Sequence, residues 1–197
     1  MKQPLIFPVL LLALLIGKPA FSADSKKGLD AYKKGDYATS LREWKSLAEK
    51  GDATAQSNLG FMYDNGQGVP QDYKTAIKWY KLAAKQGIAN AQYKLGQIYY
   101  QGQGAPQDYK AAFKWYKLAA EQGVANAHYK LGQMYGFGRG VLKDNIFAYM
   151  WWDIAASQGD REAKKNRYIV EKKMSPTQFK SAQNLSSECV EKNYKEC

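Results

Sequence analysis

Three sets of residues in this 197-residue chain have types suited to chemistry. The first is His128, the single histidine, which a general base or a metal site would have to use. It stands in a helical pattern where two similar stretches carry Gln56 and Gln92. That equivalence predicts an exposed polar side chain rather than a base or ligand. The second set is Cys189 and Cys197, the only cysteines. Their spacing does not fit a zinc site, and no histidine lies near them in sequence. An even count in an oxidising compartment predicts one disulfide, on a geometric condition. Eight residues of continuous helix would part the Cα atoms by about 12 Å. A bridge needs them within about 7 Å. The last helix must therefore stop near Glu191–Asn193 and the tail must fold back.

The third set is the pair of near-identical stretches GQGVPQDY at 66–73 and GQGAPQDY at 102–109. A Gly-x-Gly beside an acid raises the question of a phosphate loop. Such a loop needs a preceding strand and a third glycine or Gly-Lys-Ser/Thr, and neither accompanies these glycines. The composition instead fits a joint. The glycines end one helix and allow positive φ, Pro106 blocks continuation, and Asp108 caps the next helix. Asp72 and Asp108 recur once per copy as caps, so they make a poor acid/base pair.

The elements that place these residues repeat. Residues 55–90 and 91–126 agree at 25 of 36 positions, and 127–162 is the same unit with drift. Upstream, Asp36-Tyr37 and Trp44 to Gly51 fit the second half of the unit. In the first helical pattern Ala91, Leu95, Ile98 and Tyr99 share one face. Gly60, Gly96 and Gly132 interrupt that helix at a cost of about 1 kcal/mol each against alanine, which predicts close approach by a neighbour. In the second pattern Ala112, Trp115, Tyr116, Ala119 and Ala120 alternate large and small groups, as interdigitating helices require. The set Trp79, Trp115, Trp151 and Trp152 reads as packing between helices rather than as a stacking site.

The two ends differ from the middle, as the water-facing ends of a repeat array must. Residues 27–50 predict a short helix over about Gly28–Lys34, a Gly35-Asp36 turn and a helix to 50. Asp160 to Lys173 reads as a charged helix. Ser175-Pro176-Thr177-Gln178 carries a capping box with proline at the first helical position, which starts a last helix running to about Lys192.

The chain opens with Met1-Lys2, an apolar run from about Leu5 to Ile16, and small residues at Ala20 and Ser22. That pattern predicts a cleaved secretory leader over 1–22, too short for a comfortable span. The expected location is the periplasm or the medium. Loss of Lys2 and Lys18 takes the formal charge from +11 down by two, to +9. The lysines are dispersed along the chain, which fits solvated outer faces, and export argues against nucleic acid as a partner.

The recurring pattern A-x-x-x-L-G-x-x-Y-x-x-G-x-G-V/A-P-x-D-Y-x-x-A-x-x-W-Y-x-x-A-A-x-x-G resembles the Sel1-like repeat, a relative of the tetratricopeptide repeat. The resemblance implies an all-α fold, an α/α-solenoid of tandem 36-residue helix-turn-helix units. It would span 27–172, with 173–197 as a capping helix and tail. It also implies an exported, non-catalytic scaffold or adaptor that holds a protein partner on a concave surface, with no cofactor and no metal. Leu142-Lys143 departs from the Pro-Gln of the other copies, and Trp152 replaces the counterpart of Tyr116. Some cysteine-rich Sel1-like proteins are associated with β-lactams, which supplies an alternative enzyme reading. This chain has no Ser-x-x-Lys, Ser-Asp-Asn or Lys-Thr-Gly, and it lacks a cysteine pair per repeat.

Positions that vary between copies are free for recognition. Along the first helices and their exits they are Phe61/Gln97/Gln133, Asp64/Tyr100/Gly136 and Asn65/Gln101/Phe137. Tyr93, Lys94, Tyr129 and Lys130 lie nearby. The candidate partner-binding residues are therefore Phe61, Tyr93, Lys94, Gln97, Tyr100, Tyr129, Lys130, Gln133 and Phe137. Aromatic rings with lysines suit an acidic or extended peptide, and would equally suit the sugar rings of an envelope glycan.

Overall fold

The computed structural model describes residues 23–197, so the leader assigned to 1–22 lies outside the described residues. Ten α-helices follow in order among them: α1 Ala23–Lys33, α2 Tyr37–Glu49, α3 Ala53–Asn65, α4 Tyr73–Lys85, α5 Ala89–Gln101, α6 Tyr109–Ala120, α7 Ala125–Phe137, α8 Asn145–Ser157, α9 Arg161–Glu171 and α10 Pro176–Glu191. Consecutive helices from α1 to α9 pack on one another, and α10 turns back onto α8. The result is an all-α solenoid in which α3/α4, α5/α6 and α7/α8 are successive 36-residue helix pairs. None of these helices is long and apolar enough to cross a membrane. α1 starts at Ala23, earlier than the predicted Gly28, because no proline or further glycine separates Ala23 from Gly28.

The joint between paired helices accounts for the repeated loop letters. Gly102 caps α5 at φ 74°, in the left-handed region that glycine enters without a Cβ clash. Gln107 then donates through Nε2 to the Tyr100 carbonyl at 2.8 Å, as Gln71 does to Asp64 at 2.7 Å. Asp108 accepts from the Ala111 N–H and starts α6.

The interior glycines mark where the second helix of each pair meets the first. A Cβ on Gly96 would sit 2.5 Å from Tyr116 Cδ1, and one on Gly132 would sit 2.5 Å from Trp152 Cδ1. Gly28 meets Trp44 in the same way. Trp44, Tyr80, Tyr116 and Trp152 are 36 residues apart, so one ring per unit lies on one glycine. In the first pair the glycine and the ring are 16 residues apart instead of 20, because the Gly35-Asp36 turn replaces the longer loop. Trp151 and Trp152 are buried while Trp79 and Trp115 pack half-buried, which agrees with a role between helices.

The C-terminal cap is visible in one register position. Leu82 and Leu118 stand on the outer helices at 44% and 42% exposure, but their counterpart Ile154 is 1% exposed. α10 packs on α8 and covers this position. It begins with the predicted capping box, Ser175 accepting from the Gln178 N–H and Gln178 accepting from the Ser175 N–H. It stops at Glu191, the tail folds back, and Cys189 and Cys197 form a disulfide with Cα atoms 5.4 Å apart.

Candidate functional site

His128 is not on the surface. The expectation of an exposed polar residue, drawn from Gln56 and Gln92, is corrected at all three positions, since all three are buried. The physical reason is a recurring hydrogen-bond staple. Gln56 Nε2 donates to the Ala48 carbonyl at 3.1 Å, and its Oε1 accepts from Gln86 at 2.8 Å. Gln92 does the same with Ala84 and Gln122, at 3.2 and 2.7 Å. One buried carboxamide thus ties the end of the preceding helix to the end of its own partner helix. His128 takes this place between the Ala120 carbonyl at 3.0 Å and the Gln158 carboxamide at 2.8 Å.

A neutral imidazole can copy a carboxamide because it carries one donor and one acceptor. Nε2–H donates to Ala120, so Nδ1 needs a donor. Turning the Gln158 amide end for end supplies its NH2, as Gln86 and Gln122 do in their units. With the Gln158 oxygen toward Nδ1, both neighbours are acceptors, and only imidazolium satisfies them. Burial disfavours that charge and holds the His128 pKa below its ordinary 6.5, with the two hydrogen bonds opposing. The stability contributed by the neutral ring is present above pH 6.5 and is lost as pH falls through the lower folded-state pKa. His128→Gln is expected to match the wild type in thermal midpoint at pH 7.5 and to exceed it at pH 5. Scanning calorimetry across that range checks it, and parallel curves for the two proteins would defeat it.

The candidate surface residues form two stacked groups on the first helices. Lys94 of α5 lies over the Phe61 ring at 5.4 Å and pairs with Asp64 at 3.4 Å, both on α3. Gln97 lines the polar crevice beside Asp64 and Lys94. One unit along, Lys130 of α7 lies over Tyr100 at 5.7 Å and Tyr129 at 5.6 Å. It donates to Gln133 at 3.3 Å, and Gln133 donates to the Tyr129 hydroxyl at 2.8 Å. Phe137 is 60% exposed and lies 5.5 Å from the Arg139 guanidinium. Tyr93 stands apart from these stacks. It packs on Tyr116 at 5.7 Å, and burial raises its hydroxyl pKa.

The structure adds Arg139 and Tyr109 to the group. The guanidinium lies over the Tyr100 and Tyr109 rings at 5.5 and 5.8 Å and donates to the Tyr100 hydroxyl. Arg139 could have been found in the sequence, because its counterparts are Gln67 and Gln103. Tyr109 gave a weaker signal, since its counterpart Tyr73 is the same residue and only Asn145 differs. Beyond Phe137 an apolar cleft of about 260 Å³ opens between α7, α8 and α9, with Gly136, Trp152 and Ile169 among its walls.

The Sel1 repeat profile matches residues 53–88, 89–124 and 125–160, three consecutive copies over more than half the chain. The chain belongs to the Sel1 repeat family. It is similar to a Sel1 repeat protein from Oxalobacter formigenes, at 41% identity and a TM-score of 0.60, covering 66% of this chain and 98% of that one. It is also similar to a protective antigen present in uropathogenic Escherichia coli strains that displays an SLR fold. That match has 27% identity and a TM-score of 0.61 over 89% of this chain, which spans 48% of the antigen's length. No curated protein matches the sequence. The Sel1 boundaries fall at Asp52/Ala53, Ile88/Ala89 and Val124/Ala125, where the first helix of each pair begins.

Proposed function

We propose that this Sel1 repeat protein is an exported, non-catalytic adaptor that holds a protein partner on the face shared by α3, α5 and α7. Sel1 repeats typically mediate protein binding. The observation that carries the reading is the clustering of residues that differ between otherwise near-identical repeats. Phe61, Lys94, Tyr100, Lys130, Tyr129 and Phe137 meet in cation–π stacks or lie beside them, and none is fully buried. The buried Leu59, Leu95 and Leu131 beside them stay uniform, while these partly exposed positions vary. Aromatic and basic anchors of this kind dominate binding energy at protein interfaces. The Cys189–Cys197 bridge and the leader pattern of residues 1–22 support an oxidising, extracytoplasmic compartment. His128, the residue an enzyme reading would need first, is occupied in the staple between helices.

The test is site-specific photo-cross-linking in intact cells, with benzoylphenylalanine at Gln133 on the first-helix face or at Lys114 on the outer helices. One protein adduct from Gln133 and none from Lys114 is the expected result. Adducts from Lys114 alone would place the interface on the opposite face. Retention of envelope polysaccharide with no protein adduct would replace the protein partner by a glycan. Lys130→Ala or Tyr129→Ala is expected to weaken the captured complex about tenfold or more, as loss of an interface anchor does. Equal yields would remove them from the site.

A further inference from the structure

This inference rests on the adaptor reading and names what the partner brings. The repeats provide an internal comparison. In one unit Lys94 reaches back to Asp64 at 3.4 Å, and both side chains are largely covered, 24% and 12% exposed. One unit along, Lys130 stands in the place of Lys94, but Tyr100 stands in the place of Asp64. The lysine is kept and its carboxylate is gone. At the same joint Arg139 replaces the glutamine found at 67 and 103, so a second cation is added where the acid was removed. Among the described residues neither Lys130 nor Arg139 makes a salt bridge, and both lie over the Tyr100 ring.

Such a pair is unfavourable when left alone. Burial and the nearby Arg139 charge both push the Lys130 pKa down, and Asp160 opposes them. Asp160 caps α9 on the Ala163 N–H and forms no salt bridge with Lys130. Lys130 is covered enough that an anion arriving there meets a partly desolvated ammonium, where charge-assisted hydrogen bonds are strong. Arg139 at the rim offers the planar fork that matches a carboxylate.

We infer that the partner supplies the missing acid, an Asp or Glu side chain seated between Lys130 and Arg139 against the Tyr100 ring. The carboxylate site therefore gives the adaptor its register. A partner segment binds with its acid at this joint, and flanking apolar residues lie toward Phe137 and Tyr129.

The probe is N-acetyl-glutamate amide, followed by NMR at the Lys130 side-chain carbons and the Arg139 Nε, with N-acetyl-glutaminamide as the uncharged control. Saturable shifts at Lys130 and Arg139 with the acid alone are expected, and Lys94, already paired, serves as the unmoved reference. Tyr100→Asp should rebuild the pair seen at Lys94, hold or raise the thermal midpoint, and abolish the shifts. Lys130→Gln should weaken binding about tenfold or more. Absence of saturation overturns the carboxylate assignment, as does equal saturation by the control or by inorganic phosphate. Undiminished shifts in folded Tyr100→Asp overturn it as well. A Gln133 cross-link that persists without saturable shifts removes only this inference. Saturable shifts without any protein adduct remove the adaptor reading and leave an anion site.

Discussion

Gly132→Ala is expected to destabilise the wild-type protein by about 1–3 kcal/mol and to stabilise Trp152→Ala by up to about 1 kcal/mol. In isolation the substitution favours the helix, since alanine exceeds glycine by about 1 kcal/mol in a helix interior. Here the added methyl would sit 2.5 Å from Trp152 Cδ1 and 2.6 Å from Nε1. These atoms belong to the five-membered ring close to the backbone, on a side chain only 4% exposed, and cannot swing aside cheaply. Trp152→Ala alone is expected to cost about 3–5 kcal/mol, because a large ring leaves a void between α7 and α8. With the ring gone, the methyl at 132 enters empty space and only the helix preference remains. Urea denaturation of the two single variants and the double variant measures the reversal. An unchanged sign would mean that Trp152 moves freely and that close approach does not explain Gly132.

The comparison between units makes the same point about volume. Gly136 replaces Asp64 and Tyr100 where Trp152 replaces Tyr80 and Tyr116. A Cβ at 136 would lie 2.7 Å from Trp152 Cη2, so the larger ring occupies what the smaller residue vacates. The drift of the third unit is thus compensated within it. The same position carries an acid at 64 and a ring at 100, which are opposite offers to the lysine one unit along. A single variable position therefore makes room for Trp152 in one copy and faces a lysine in the others.

Much of this arrangement was legible in the sequence, for reasons that lie in its periodicity. Identical residues 36 apart fix the helix boundaries, because Asp caps and Gly stops recur in each copy. The close approach at Gly96 and Gly132 followed from an energetic anomaly, a glycine kept where alanine would be better. Helix rise set the condition that a Cys189–Cys197 bridge must meet, a helix stopping near 191–193 and a tail folding back. The burial of Gln56, Gln92 and His128 did not follow. A polar residue within a helical pattern reads as surface unless its partners are known, and these partners lie 30 residues away at the end of the next helix. Arg139 varies from Gln67 and Gln103 and so carried a signal, but it stands past the end of α7, outside the helical face that the candidates mostly occupy.

Reduction of the Cys189–Cys197 bridge is expected to release the tail after Glu191 and lower the thermal midpoint, while α10 stays docked. Bridging residues eight apart restricts the unfolded chain by about 2–3 kcal/mol. Part of that gain is offset in the folded tail, where Asn193, Tyr194 and Glu196 hold left-handed backbone at φ 50°, 64° and 57° without being glycine. Without the bridge these residues have a reason to unwind. Tyr194 would leave the His128 ring, now 4.7 Å away, and would give up its hydrogen bond with Gln158 at 3.2 Å. α10 has its own anchors in buried Ala182 and in the Ser186 hydroxyl, which donates to Asp153 at 2.6 Å. Hydrogen exchange before and after reduction separates the two, with protection lost beyond 191 and kept over 182–189. Release of Tyr194 also admits water to His128, so its pKa should rise toward the ordinary value and the acid sensitivity of stability should shrink. A reduced protein with the same pH profile as the oxidised one would show that burial by Trp151, stacked on His128 at 5.6 Å, governs the ring instead of the tail.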